Sequence, residues 1–211
     1  MTDRSAARRS PRRGDGQTPT PPVEPARPLS RARPDRQAWV RLGLETLAAK
    51  GVEAVRVEVL AKNLKVTKGS FYTRFADRND LLNAILVEWR RATVTSIVEN
   101  IWGRPTSGRE KLQKLWRICL SNRIDNPGGA IESALSQWGT QNQAVRDLLA
   151  RVDIERINFI AALYLEAGVA EPDEMAQLFY RYVLGANLGA LRGGERPETQ
   201  ALHIRALLRI D

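Results

Sequence analysis

Residues 57–82 read VEVLAKNLKVTKGSFYTRFADRNDLL, and this stretch predicts two short helices, a tight turn between them and the start of a third helix. The first predicted helix has one apolar face, because its apolar residues recur at intervals of three and four. These residues are Val57, Leu60, Ala61 and Leu64. The second helix is predicted to begin at Lys68, because the hydroxyl of Thr67 can accept a backbone N–H from two or three residues further on.

The second predicted helix has two different sides. Phe71 and Phe75 lie four residues apart, which directs both rings toward the first helix. The other side chains are polar or basic and face outward: Lys68, Ser70, Tyr72, Thr73 and Arg74. This arrangement is typical of a helix-turn-helix, whose second helix enters the DNA major groove with its N-terminal end first. It also fits an ordinary helical hairpin with a solvated basic face, and the pattern alone favours neither.

The outward side chains have chemistry that suits DNA. Lys68 and Arg74 are suited to phosphates or guanine, and Tyr72 can donate to a phosphate oxygen. Ser70 and Thr73 are short enough to meet base edges or a thymine methyl group.

Residues 39–86 resemble the N-terminal domain of TetR/AcrR-type transcriptional regulators. Members of that family have a first helix that ends near A-x-K-G, here residues 48–51, and a signature V-[ST]-K-G-[ST]-[LF]-Y-x-x-F, which residues 66–75 match at every fixed position. The resemblance implies that the phosphate backbone is contacted by Thr67, Lys68, Tyr72 and Arg78. It also implies that the residues nearest the bases are Lys68, Gly69, Ser70 and Thr73.

Two positions depart from the family's pattern. Lys65 lies in the turn where the family often has Gly, and a left-handed backbone there costs a non-Gly residue about 1 kcal/mol. Arg56 stands where the family commonly has a Thr that caps the following helix, so this cap is predicted to be weaker. Both residues are basic, and each is a further candidate for a phosphate contact.

The net charge of +9 is unevenly distributed along the chain. Residues 1–36 contain nine Arg and four acidic residues, residues 37–78 contain eight basic and four acidic residues, and residues 79–211 contain sixteen of each. A protein that is basic by general composition would spread this excess, whereas a nucleic-acid binder concentrates it where phosphates are met. The distribution therefore favours DNA binding independently of the motif.

Residues 1–34 are predicted to be a disordered, basic, Pro/Arg-rich arm. They contain seven of the eleven prolines and almost no large apolar side chain, so folding them would bury too little surface to offset the lost entropy. One interpretation is an arm that lies along phosphates or reaches into the minor groove. The other is a solubilising leader without defined contacts.

The rest of the sequence predicts an all-α fold. Residues 35–78 are predicted to form an N-terminal three-helix helix-turn-helix domain, and residues 79–211 a six-helix ligand-binding and dimerisation domain; nine helices are also the architecture of the family. Asp77 and Asp80 have the spacing of a capping box. They precede the apolar run that begins at Leu81, in a continuous helix predicted over residues 78–102. Asn142 is predicted to start the longest helix.

The resemblance implies that the second domain encloses a small, largely apolar effector molecule. The candidate lining residues are Trp89, Trp116, Asn122, Trp138, Asn158 and Phe159. The alternative is that these aromatic residues pack as a solid core, without a ligand.

The last two helices are the predicted homodimer interface. A single helix-turn-helix binds few phosphates, so two copies usually read half-sites about 34 Å apart. The candidate residues are Leu178, Tyr182, Gly185, Gly189 and Leu202. The alternative is that these helices only close the core of the monomer.

No pattern in the sequence indicates catalysis. His203 is the only histidine, and neither a Gly-rich phosphate loop nor His/Cys metal spacing is present, so no enzyme activity, cofactor or metal is predicted. Cys119 lies among apolar residues, which predicts a buried thiol in a reducing compartment. No apolar run is long enough to span a membrane, so a cytoplasmic protein is expected.

The sequence therefore predicts a transcriptional regulator that binds double-stranded operator DNA as a homodimer. It is most simply a repressor that a small molecule releases from its operator. The alternative is a DNA-coating or architectural helix-turn-helix protein without ligand control.

Overall fold

A computed structural model describes residues 34–103, 106–121, 128–190 and 197–208, and within these ranges every regular element is helical. The predicted basic arm lies outside them, except for Pro34. The first helices are α1 (Arg36–Lys50), α2 (Val57–Leu64) and α3 (Lys68–Tyr72), with a 3-10 turn (Val52–Ala54) between α1 and α2. The later helices are α5 (Gly108–Ser121), α6 (Gly128–Gly139), α7 (Gln143–Glu166), α8 (Pro172–Ala190) and α9 (Pro197–Leu208).

Between them, α4 is the long connector. It begins as Arg78–Arg90, passes through a π-helical turn at Arg91–Thr95 and continues as Ser96–Trp102. The sequence predicts this helix with the correct ends but gives no sign of the π-turn. Such turns are uncommon in α-helices and occur often beside functional sites.

The helix ends follow the capping chemistry of the sequence. Asp35, Asp77 and Asn142 precede α1, α4 and α7, and each accepts a backbone N–H three residues later, at 2.7, 2.8 and 3.1 Å. Of the predicted capping box, the Asp77 half is present; Asp80 instead accepts the N–H of Ala76, the residue before the N-cap, at 3.0 Å. Gly51 ends α1 with a φ of 76°, a backbone conformation that glycine adopts without strain.

The first hydrophobic cluster fixes α3 to the body of the protein. Phe71 is fully buried, stacks on Phe75 at 5.1 Å between ring centroids and meets the edge of Trp39 at 5.3 Å. Residues of α4 continue this cluster: Leu81, Leu82, Ile85 and Trp89. Burial of each such side chain stabilises the fold by about 1.5–3 kcal/mol, so α3 has a firm attachment despite its five residues.

The second hydrophobic cluster joins α4, α5, α7, α8 and α9. Trp116 of α5 packs edge-on against Phe179 of α8 at 5.0 Å and stacks on Tyr182 at 5.2 Å. The buried Tyr164 hydroxyl donates to the carbonyl of Leu207 at 2.8 Å, which ties α9 to α7.

The α6 helix belongs to the first cluster although it lies far along the chain. Its buried Ile131 and Leu135 pack in that cluster, and α6 contacts α1 as well as α7. The hydrophobic packing therefore crosses the predicted domain boundary at residue 78 and places α6 directly against the first helix.

Candidate DNA interface and internal cavity

The turn between α2 and α3 has the geometry that a helix-turn-helix requires. Lys65 has φ 57° and ψ 42°, so the left-handed conformation anticipated there is present in a non-Gly residue. Thr67 occupies the N-cap position of α3 in extended conformation, but its side chain makes no capping hydrogen bond. The predicted hydroxyl cap is therefore wrong. The exposed hydroxyl lies beside the first turn of α3, where it can meet an external acceptor or donor.

Lys68 has a neighbour that the sequence did not indicate. Its Nζ lies 2.7 Å from Oε1 of Glu58 on α2, and both side chains are 59% exposed. The hydrogen bond from Lys68 lowers the pKa of the Glu58 carboxyl. Exposed ion pairs of this kind contribute little to stability, so a phosphate can compete with Glu58 for the ammonium group.

The outer side of α3 is polar and accessible. Tyr72 is 60% exposed, and its ring is supported edge-on by Phe71 at 5.2 Å. A Cβ at Gly69 would meet only the Thr67 hydroxyl, at 3.7 Å, so the first turn presents open backbone. The Thr73 hydroxyl donates to the carbonyl of Ser70 at 2.8 Å. This bond orients the Thr73 side chain and leaves its oxygen able to accept.

The three predicted arginines differ in their surroundings. Arg74 is exposed at the end of α3. Arg56 precedes α2 without a side-chain cap, as expected, and its Nε donates to the carbonyl of Glu53 at 2.9 Å. Arg78 is partly buried and donates to two carbonyls beside the 3-10 turn, those of Val52 at 2.6 Å and Val55 at 2.7 Å. Arg78 thus holds the 3-10 turn against the start of α4, and its phosphate contact stays a prediction.

A cavity of about 150 Å³ lies beside the π-turn of α4. Helices α4 to α8 all contribute to its wall. The lining is mostly apolar, with a few polar groups: Thr93, Val94, Ile97, Val98, Leu115, Ile118, Cys119, Gly129, Glu132, Arg156, Phe159, Ile160, Phe179, Tyr180, Val183, Leu184 and Asn187. In the π-turn, the Thr93 hydroxyl donates to the carbonyl of Trp89 at 2.8 Å. The cavity therefore adjoins the one irregular turn of the long connector.

Of the predicted pocket residues, Phe159 lies on this wall. The expectation for the tryptophans needs correction, because Trp89 and Trp138 pack in the first cluster and Trp116 packs between α5 and α8. Asn158 is exposed, and Asn122 lies outside the described residues. Large aromatic rings gain most from close packing between helices, so they fill the helix interfaces and leave smaller aliphatic side chains to line much of the cavity.

The polar part of the wall is a network around Arg156. Its Nη2 donates to Glu132 at 2.6 Å and its Nη1 to the Tyr180 hydroxyl at 3.3 Å, while that hydroxyl donates to Asp153 at 2.6 Å. Burial alone would lower the pKa of Arg156, but the Glu132 carboxylate and the Tyr180 hydroxyl together outweigh this effect and raise it. Burial also raises the pKa of the Cys119 thiol to about 11, so this group stays protonated near neutral pH.

The predicted interface residues lie on α8 and α9. Leu178 and Leu202 are 54% and 65% exposed. Gly185 is exposed, with nothing within 4 Å of an added Cβ, and Gly189 lies one helical turn further along α8. Tyr182 is half-buried between Trp116 and His203 and therefore contributes mainly to packing within the chain.

Residues 40–85 match the family model described as bacterial regulatory proteins of the tetR family. This stretch is therefore a DNA-binding domain of the TetR type. Proteins that share this domain are transcriptional regulators rather than enzymes. The matched residues are the helix-turn-helix and the helices that support it.

A curated relative is the transcriptional regulator AcuR of Cereibacter sphaeroides, which is 38% identical over 72 residues; these cover 32% of this chain and 33% of AcuR. The sequence match thus spans about a third of that regulator. Within the described ranges, every helix of this chain is too short or too polar to cross a bilayer.

Solved structures share the fold over most of the chain. A regulator from Saccharomonospora viridis, solved in complex with choline, has a TM-score of 0.70 and 16% identity, with 83% of this chain and 96% of that one covered. CifR, a TetR-family regulator solved with 26-bp operator DNA, has a TM-score of 0.67 and 19% identity, with the same coverage of both chains. At these identities the likeness extends to the fold alone.

Proposed function

We propose that this protein is a homodimeric, sequence-specific repressor that a small molecule releases from its operator. The observation that carries the DNA-binding part is the construction of α3. Its apolar side packs in the first cluster through Phe71, while Lys68 and Tyr72 extend into solvent. The adjacent Thr67 side chain makes no capping hydrogen bond. An ordinary helical hairpin does not require this combination, whereas a recognition helix requires an apolar side that is firmly packed and a polar side that is exposed to DNA.

Substitutions on α3 test this part of the proposal. Lys68→Ala or Tyr72→Phe should each weaken operator binding by about 1–3 kcal/mol, because each removes a phosphate or base contact. The thermal midpoint should change little, since both side chains are exposed. Gel-shift titration measures the affinity, on operator fragments recovered by sequencing the DNA that the purified protein retains.

Arg151→Ala is the matched control, because it removes one exposed positive charge from α7, away from the helix-turn-helix. Its operator affinity should equal that of the unaltered protein. Unchanged affinity of both α3 variants would contradict the assignment of α3 as the recognition helix.

Dimerisation through α8 and α9 is supported by the apolar side chains that the single chain leaves in water, Leu178 and Leu202. A two-fold dimer would bury them and would bring a second recognition helix to the next half-site of the DNA. CifR, which was solved with operator DNA, has the same fold, which supports DNA binding by this protein.

Ligand control is supported by the position of the cavity on α4. The first half of this helix packs with α3 in one cluster, through residues such as Leu82 and Ile85, and its π-turn lines the cavity. A ligand that displaces the π-turn therefore moves the support of the recognition helix. The regulator solved with choline shares this fold, which supports small-molecule binding by this protein.

A further inference from the structure

Arg156 is the one Lys or Arg side chain on the described wall of the cavity, and groups from three other helices surround it. It pairs with Glu132 of α6 at 2.6 Å and donates to Tyr180 of α8 at 3.3 Å. Its guanidinium carbon lies 5.5 Å from the centroid of the Trp89 ring on α4. The positively charged guanidinium of Arg156, with its several N–H donors, thus lies at the edge of a largely apolar cavity.

The two members of the ion pair are held unequally. The Arg156 side chain is 15% exposed and has Tyr180 and Trp89 as further neighbours, whereas the Glu132 side chain is 25% exposed. Glu132 can therefore turn toward water at lower cost than Arg156 can. An incoming anion has only to replace Glu132, but an incoming cation would have to displace Arg156 from all its neighbours.

We propose that the cavity binds a small carboxylate, whose two oxygens accept from Arg156 in place of Glu132. This inference rests on the ligand control proposed above and names the class of ligand. Arginine recognises carboxylates through two parallel hydrogen bonds, which gives both strength and orientation. The apolar tail packs against Phe159 and Phe179 on the wall. A volume near 150 Å³ holds roughly one benzene-sized group, which limits the ligand to a short aliphatic or single-ring acid.

Replacement of Glu132 by the ligand would also create a second connection between the cavity and the DNA-binding domain. The Glu132 pair joins α6 to α7, while Ile131 and Leu135 of the same helix pack in the first cluster and α6 contacts α1. A carboxylate that takes Arg156 frees α6 from this pair. The ligand thereby acts on the helix-turn-helix through α6 as well as through α4.

Binding of a matched set of small molecules to the full chain tests the inference. The probes are butyrate, valerate and benzoate, each with its neutral amide, and butylamine and choline as cations. Calorimetry measures their affinities directly, without DNA. We expect the carboxylates to bind at least about tenfold more tightly than their amides, as hydrogen bonds to charged groups are the stronger ones.

Variants of the ion pair should change this preference in opposite directions. Arg156→Met should abolish the preference for carboxylates, whereas Glu132→Gln should tighten carboxylate binding by roughly three- to tenfold, because it removes the competing charge. Amide binding should change little in Glu132→Gln. Arg151→Met is the matched control, since it removes an exposed arginine from the same helix. A gain in Glu132→Gln cannot arise from damage to the fold, so the test holds even if Arg156→Met is unstable.

Three results would overturn the inference: equal binding of acids and amides, preferential binding of the cations, or no binding of any probe at millimolar concentration. A separate gel shift with the same acids addresses the function. If the carboxylates bind as expected but leave operator affinity unchanged, the ligand class stands. Ligand control and the α6 connection then fail.

Discussion

At the scale of single residues, Gly108 shows how closely two helices of the second cluster approach. It is the first residue of α5, and a Cβ there would lie 2.5 Å from the backbone nitrogen of Ala167 and 2.9 Å from the carbonyl oxygen of Leu163. One turn further on, the buried Lys111 pairs with Glu166 at 2.6 Å. The start of α5 is thus fixed to the end of α7 by contact with backbone, which cannot move aside as a side chain can.

Gly108→Ala should therefore destabilise the protein. We expect a loss of about 1–3 kcal/mol, because the added methyl group overpacks the contact between α5 and α7. Urea unfolding followed by circular dichroism measures the change. Gly69→Ala is the control, since its added Cβ meets only one atom, at 3.7 Å, and it should leave the free energy of unfolding within about 1 kcal/mol. Equal stability of the two variants would contradict the close approach described for Gly108.

Residue-level predictions from the sequence succeed where one local rule decides the outcome. The caps at Asp77 and Asn142 follow from nearest neighbours along the chain, whereas the left-handed turn at Lys65 follows from the family's preference for Gly at that position. The partners of Glu58 and Arg78 do not, because a side chain that faces outward from one helix can meet a neighbouring element that periodicity does not reveal. The sequence thus predicts candidate DNA-facing residues, but it does not predict the contacts that Lys68 and Arg78 make in the free protein.

At the scale of elements, α8 and α9 carry exposed apolar side chains that the proposed dimer would bury. Replacement of both Leu178 and Leu202 by Glu should dissociate the dimer, because four carboxylates would enter one apolar interface. Sedimentation equilibrium should then give the mass of a single chain, 23.6 kDa, in place of twice that value. Val87→Glu is the matched control, since Val87 is 68% exposed on α4. A dimer that persists in the double variant would place the interface elsewhere.

The boundaries of most elements could be predicted, and the irregularity of α4 could not. Gly, Pro and capping residues mark the ends of the helices, and these are local signals. The π-turn at residues 91–95 leaves no such mark, because β-branched residues such as Thr93, Val94 and Thr95 weaken a helix without indicating a π-turn, and the flanking backbone angles are helical. The cavity was misassigned for a related reason. Amphipathic spacing shows which side of a helix is buried, but it does not separate residues that pack from residues that line a space.

At the scale of the whole molecule, the long helix α4 joins the proposed recognition helix α3 to the cavity. Leu81, Leu82, Ile85 and Trp89 of α4 pack in the first cluster, and residues 93–98 of the same helix reach the cavity. Arg90 also connects α4 to α7, because it donates to both carboxylate oxygens of Glu155, at 2.8 and 2.9 Å. The central claim is that ligand and operator favour different arrangements of this structure.

The affinity of one ligand, with and without operator, tests that claim most directly. A ligand that prefers the DNA-incompetent arrangement about a hundredfold supplies about 2.7 kcal/mol of coupling, and operator DNA must then weaken ligand binding by the same factor. Intrinsic tryptophan fluorescence reports occupancy, because Trp89 and Trp116 lie in the helices around the cavity. A ligand found by thermal-shift screening should bind about a hundredfold more weakly in the presence of saturating operator. Equal affinity in both conditions would contradict the account and favour a DNA-coating protein without ligand control.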